Sequence, residues 1–242
     1  MMPIGDINPT RRTPYVTWIL IAINALVFFW QLTMSPRELQ GMFLDLAVVP
    51  NNVARDPFGI ETLLDGLRSM FMHGGWAHIL GNMLYLFLFG DNIEDRLGKI
   101  LYLALYFISG YAAVYAQVLI DPTSQIPMIG ASGAIAGVLG AYLVMFPRVR
   151  VRAIVFLGYF GQVAELPALI VLGFWFVIQL VSGVGSLGAA STAGGGVAFF
   201  AHIGGFVAGA VLAFAFMRMV PQPPPDERYE MLYQRAGRSR GL

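Results

Sequence analysis

Gly130-Ala131-Ser132-Gly133-Ala134-Ile135-Ala136-Gly137-Val138-Leu139-Gly140-Ala141-Tyr142-Leu143-Val144-Met145-Phe146 contains no charged residue. A run of this kind predicts a helix in lipid, since about 17 to 25 apolar residues cross a bilayer. One hydroxyl stands at its head, among glycines. A second apolar run carries a lone histidine, in Ala201-His202-Ile203-Gly204-Gly205. Polar side chains inside a membrane are costly unless they pair or do chemistry. Whether Ser132 and His202 meet is therefore the question on which fold and function both turn.

The rest of the chain agrees with a membrane reading. Its 242 residues are 57% hydrophobic and 12% charged, against about 25% charged in soluble domains. Six apolar runs stand out, at 15–32, 75–90, 98–120, 131–147, 166–182 and 197–217. The expected fold is an all-α membrane bundle of six transmembrane helices. A segment at 1–14 precedes the membrane domain (15–217), and a charged tail follows at 218–242. The net charge of +1 includes no basic face, which excludes a nucleic-acid partner. The absence of cysteine excludes disulfides and thiol catalysis. Nothing in the sequence calls for a cofactor or a metal, and nothing in it fixes an oligomeric state. The first run follows Arg11 and Arg12 with no small-residue cleavage site behind it, so it reads as a retained anchor.

Charge bias sets the expected orientation. Arg11 and Arg12, then Arg96 and Lys99, then Arg148, Arg150 and Arg152, and finally the arginines from Arg218 to Arg240 alternate with connections poorer in Lys and Arg. Positive loops stay inside, so both termini are expected in the cytoplasm. Between the first two runs, Leu39-to-Val49 and Ile60-to-Phe71 suit short helices at the outer interface. Residues 148–165 suit a short strand or hairpin, and Glu165-Leu166-Pro167 reads as a helix start. The uncharged Gly183-to-Gly196 stretch reads as a mobile cover over the outer opening. The proline-rich tail reads as exposed.

Orientation then gives depth. Ser132, His202, His78 and Asn82 all lie near the outer starts of their runs, and so share one layer. Gly133 and Gly137 are four apart, as are Gly205 and Gly209, which lets two helices approach closely. His78 and Asn82, also four apart, share one helix face. A serine needs a base to become a nucleophile, and a neutral imidazole is such a base. Asn82, His78 and the Ser132 backbone N–H are expected to donate to the oxyanion. No acid lies at that depth, so the unit is a Ser–His dyad. Each residue alone has a bland reading: Ser132 as a packing hydroxyl, His202 as a structural group, Asn82 as helix glue. His73 reads as structural, and Glu94 and Arg96 as ties of the inner turn. A path for transport is disfavoured, because the polar groups cluster in the outer half.

At these residues the chain resembles the rhomboid family of intramembrane serine proteases, in its bacterial six-span form. The matching pieces are His73-Gly74-Gly75-Trp76-Ala77-His78-Ile79-Leu80-Gly81-Asn82, Gly90 with Glu94 and Gly98, Gly130-Ala131-Ser132-Gly133, and Ala201-His202-Ile203-Gly204-Gly205 with Gly209. They stand in family order across about residues 15 to 217. The resemblance implies a multi-pass protein of the cell (inner) membrane that cuts single-span membrane substrates near their outer end. It implies Ser132 as nucleophile, His202 as base, and His78 and Asn82 in the oxyanion hole. It also marks Trp175 and Gln179 as a candidate substrate gate. Two features depart from some members: position 136 is alanine rather than an aromatic that stacks on the histidine, and the Trp-Arg pair of the first outer loop is missing. A scaffold without activity would have lost the serine or the histidine, and this chain keeps both.

Overall fold

The computed structural model describes residues 1–157, 160–187 and 198–220. Most of the Gly183-to-Gly196 stretch, and all of the tail from 221, lie outside the described residues. Nine helices are present among those described: α1 (Tyr15–Gln31), α2 (Pro36–Leu46), α3 (Pro50–Arg55), α4 (Ile60–Ser69), α5 (Trp76–Leu97), α6 (Lys99–Ile120), α7 (Ser132–Met145), α8 (Ala168–Ser186) and α9 (Phe199–Met219). α6, α8 and α9 are long and apolar enough to cross a membrane, while α1 and α7 are apolar but shorter. Gly98, at φ 78°, turns the chain from α5 into α6 with no spare residue, a conformation that glycine adopts without steric cost. The two interface stretches hold α2 and α4, and a further short helix, α3, lies between them with Pro50 at its start.

The expectation of an all-α protein needs correction. Strands β1 (Met2–Asp6), β2 (Arg150–Leu157) and β3 (Phe160–Pro167) make a three-stranded antiparallel sheet in that order. The 148–165 hairpin was legible, but β1 comes from the segment read as a plain extension. Asp6 explains its docking: its Oδ2 accepts from Tyr142 Oη at 2.7 Å and Asn92 Nδ2 at 3.0 Å. Glu165 and Pro167 are also not in a first helical turn. Arg150 pairs with Pro167 and Arg152 with Glu165 across the β2–β3 ladder, so the strand runs to Pro167 and α8 starts one residue later. Sheet pairing overrides the local helix-start signal there.

Three helices pack backbone to backbone at the centre. A Cβ on Gly205 would strike the Gly133 carbonyl, one on Gly209 the Gly137 carbonyl, and one on Gly140 the Phe206 carbonyl. These contacts join α7 to α9, as the glycine spacing predicts. The same glycines also meet α6. Gly133 faces the Ala113 methyl, Gly137 faces Ser109, and Gly204 faces Ala112 and Ala116. Close approach of this kind gives van der Waals contact where lipid offers no hydrophobic gain.

The first helix is fastened by polar groups seven residues apart. Thr17, Asn24 and Gln31 are all buried, while Trp18, Ile19, Leu26 and Phe29 face outward. Glu94 of α5 accepts from the N–H groups of Val16 (3.0 Å) and Thr17 (2.8 Å) and from Thr17 Oγ1 (2.9 Å). The carboxylate thereby satisfies the free donors at the start of α1 and complements its dipole. Glu94→Gln keeps the shape and loses the charge. It is expected to cost about 2 kcal/mol, the range for hydrogen bonds to a charged group, read as a lower midpoint of thermal unfolding in detergent.

Candidate active site

Ser132 opens α7, and the segment ahead of it is pinned on both sides. Met128 N–H donates to Val48 O at 2.7 Å and Gly130 N–H to Ser69 O at 2.8 Å. Ser69 Oγ in turn accepts from Val48 N–H at 2.8 Å. Gly130 has φ 116°, a region that side chains rarely occupy. Its lack of a side chain is also needed: a Cβ there would lie 2.6 Å from His78 Nε2 and 3.5 Å from Asn82 Nδ2. Glycine at 130 thus lets the segment that leads into α7 approach the α5 face that carries His78 and Asn82.

His202 reaches Ser132 from α9. Its Nε2 lies 2.8 Å from Ser132 Oγ, across 70 residues of sequence. Its Nδ1 lies 2.8 Å from Gln179 Oε1 on α8. An amide oxygen only accepts, so this partner assigns the proton to Nδ1 and leaves the Nε2 lone pair toward the serine. Trp175, one turn before Gln179 on α8, sets its ring 6.0 Å from the His202 ring at 37°. Ala136 is fully buried, and no aromatic stands there. Trp175 contacts the imidazole from another helix instead.

His78 and Asn82 share the α5 face as predicted. Gly74 N–H donates to His78 Nδ1 at 3.4 Å, which assigns the proton to Nε2, the nitrogen beside Gly130. Asn82 is buried, and its Nδ2 lies 3.0 Å from His73 Nε2. One amide hydrogen then goes to His73, and the second has no partner among the hydrogen bonds of the described residues. His73 is itself buried and held by a two-way pair: Gln31 Oε1 accepts from its N–H and Gln31 Nε2 donates to its carbonyl, both at 3.0 Å. Burial, and secondarily the neighbouring His78, push the His73 imidazole down to about 4, so it is neutral near pH 7. The Ser132 N–H lies in the first turn of α7, where no helix carbonyl can pair with it.

The arrangement brings one hydroxyl and one imidazole together, with the N–H donors of His78 and Asn82 close to Gly130. Sequence reasoning placed Ser132, His202, His78 and Asn82 together. It missed the contact of His73 with Asn82 and that of Gln179 with His202. A lone amide in the apolar run Ala168–Leu180, four residues after a tryptophan, was the signal for the second.

Known proteins are similar to this chain in sequence. A model of the Rhomboid domain matches residues 62–219. Rhomboid protein 1, mitochondrial, of Saccharomyces cerevisiae is 27% identical over 228 residues, which is 92% of this chain and 58% of the relative. Rhomboid protease AarA of Providencia stuartii is 27% identical over 227 residues, 85% of this chain and 73% of the relative. RHOMBOID-like protein 5 of Arabidopsis thaliana is 31% identical over 151 residues, 62% of this chain and 43% of the relative. The chain spans about half the length of several of the curated relatives it matches. With the domain model covering more than half of its residues and apolar helices long enough to cross a bilayer, this chain is a multi-pass membrane protein that belongs to the rhomboid family.

Proposed function

We propose that the chain is an intramembrane serine endopeptidase that cuts transmembrane segments near their outer end. The observation that carries this reading is the 2.8 Å contact between Ser132 Oγ and His202 Nε2, two residues from Gly130, which His78 and Asn82 approach closely. The substrate carbonyl carbon is attacked by Oγ as its proton passes to His202 Nε2. The charge that develops on the carbonyl oxygen is met by His78 Nε2–H, by the Asn82 amide and by the Ser132 N–H. Collapse breaks the C–N bond, and the proton on His202 goes to the leaving amine. Water, activated by the same imidazole, then hydrolyses the acyl-enzyme and returns Ser132. No step needs a metal or a cofactor.

In this reading α1, α5, α6, α7, α8 and α9 are the six spans, and both termini face the cytoplasm of a cell (inner) membrane. Substrates are single-span proteins whose helix unwinds easily. They reach Ser132 past α8, where Trp175 stands. The first test is chemical. Purified protein in detergent is expected to bind a serine-directed fluorophosphonate covalently at Ser132, and Ser132→Ala to take up none. Mass-spectrometric mapping of the label to another residue, or equal labelling of the variant, overturns the assignment of the nucleophile.

A further inference from the structure

A glutamine in a helix as apolar as α8 needs a reason. Val177, Val181 and Val184 of that helix are exposed to the surroundings, as expected of a face against lipid. Gln179 points the other way and is 8% exposed. Turning an amide inward costs free energy unless it finds a partner, and its Oε1 finds His202 Nδ1 at 2.8 Å. The chain of contacts then runs Gln179 Oε1, His202 Nδ1, His202 Nε2, Ser132 Oγ, with 2.8 Å at each hydrogen bond.

Resting on the protease reading, we infer that Gln179 is a positioning residue that completes the dyad: it holds His202 in the tautomer and orientation that can take the Ser132 proton. A carboxylate does this in the Ser-His-Asp triads of soluble proteases, where it also stabilises the imidazolium. A neutral amide supplies the same acceptor without placing a second charge in a dry site, whose desolvation is expensive. Trp175 adds the second constraint. Its ring centroid lies 6.0 Å from that of His202 and 6.0 Å from that of Phe206, one turn further along α9, which sets an aromatic surface beside the imidazole. The support that Ala136 does not provide from α7 thus comes from α8, through two residues one helical turn apart. One consequence separates this role from that of a gate. A gate residue alters how substrate arrives, and therefore KM. A residue that fixes the base alters the chemical step, and therefore kcat.

The test uses the full purified chain in detergent. Gln179→Leu keeps the volume and removes the acceptor. It is expected to lower kcat by about 10- to 100-fold, the loss usual for a residue that orients a reacting group, with KM within about twofold of wild type by the same reasoning. Labelling of Ser132 by the fluorophosphonate slows by the same factor, although that probe is no membrane segment. Gln179→Glu restores an acceptor and recovers most of the lost kcat. Unchanged kcat in Gln179→Leu, a loss in KM alone, or a folded Gln179→Glu as poor as Gln179→Leu overturns the inference. A further measurement needs no variant at position 179: nitrogen NMR of histidine-labelled protein, with His202→Ala to assign the signal, reads a proton on Nδ1. A proton on Nε2 instead overturns it. Ser132→Ala separates the two levels. If that variant still cleaves, the protease reading fails. If it is inactive while Gln179→Leu equals wild type, only the role of Gln179 fails.

Discussion

Alanine at Ser132, alanine at His202, and alanine at both are each expected to cost the same factor in kcat, on the order of 10⁶ by comparison with other Ser–His enzymes. The argument is geometric. The 2.8 Å contact makes the two side chains one device: the hydroxyl is a poor nucleophile without the imidazole, and the imidazole has no proton to take without the hydroxyl. Once either is gone, nothing is left for the second substitution to remove. The residual rate, about 10³ to 10⁴ above water, comes from substrate binding and the donors that remain around Gly130. Asn82→Ala leaves the dyad and removes one donor, so its cost is smaller, about 10² to 10³ in kcat. Steady-state cleavage of a single-span substrate measures all four. A double variant whose loss is the product of the single losses shows that Ser132 and His202 act separately, and the dyad is then wrong.

The second large effect concerns folding. Gly209→Ala adds one methyl group and is expected to lower stability by about 3 kcal/mol or more, at or beyond the usual range for overpacking. The new Cβ would meet the carbonyl oxygen, carbonyl carbon and Cα of Gly137. Those are backbone atoms, and no rotamer change moves them aside. α7 and α9 must separate, and Ser132 parts from His202 as they do. Gly173→Ala is the control. It lies in α8 with nothing within 4 Å of its Cβ position, and alanine there is expected to be neutral or to gain up to about 1 kcal/mol from helix propensity. Unfolding of the two variants in mixed micelles measures the difference. Equal stability sinks the claim that α7 and α9 are locked through their backbones.

Those two expectations correspond to what the chain displays most openly. Hydropathy located the apolar runs, and the orientation expected from the arginines suggested one depth for Ser132, His202, His78 and Asn82. Glycine spacing paired α7 with α9. Each of these is a pattern within one short segment. What escaped is what depends on distant partners. Residues 2–6 show no strand alternation, and their place is set by Asp6 meeting Tyr142, 136 positions away. Glu165 and Pro167 imitate a helix start, yet ladder bonds to Arg152 and Arg150 hold them in β3. The part played by α6 in the glycine contacts rests on Ser109 and Ala113, small residues indistinguishable from their neighbours in an apolar run. Gln179 was visible as a polar residue in the right helix. Its direction, toward His202 rather than an incoming substrate, required the rotation of α8 about its axis, which composition does not specify.

The pairing of β1 with β2 constrains the order of events on the ribosome. Met2 has its ladder partner at Ile154 and Asp6 at Val151, so β1 emerges long before either exists. It must wait through the synthesis of α1, α5, α6 and α7 before its ladder partners exist. Closing so long a loop carries an entropic cost that only a nearly complete bundle can offset. The sheet is therefore a late fastening: a chain whose translation stops before residue 150 can hold several inserted helices and still leave its first strand free for a chaperone or a protease to seize.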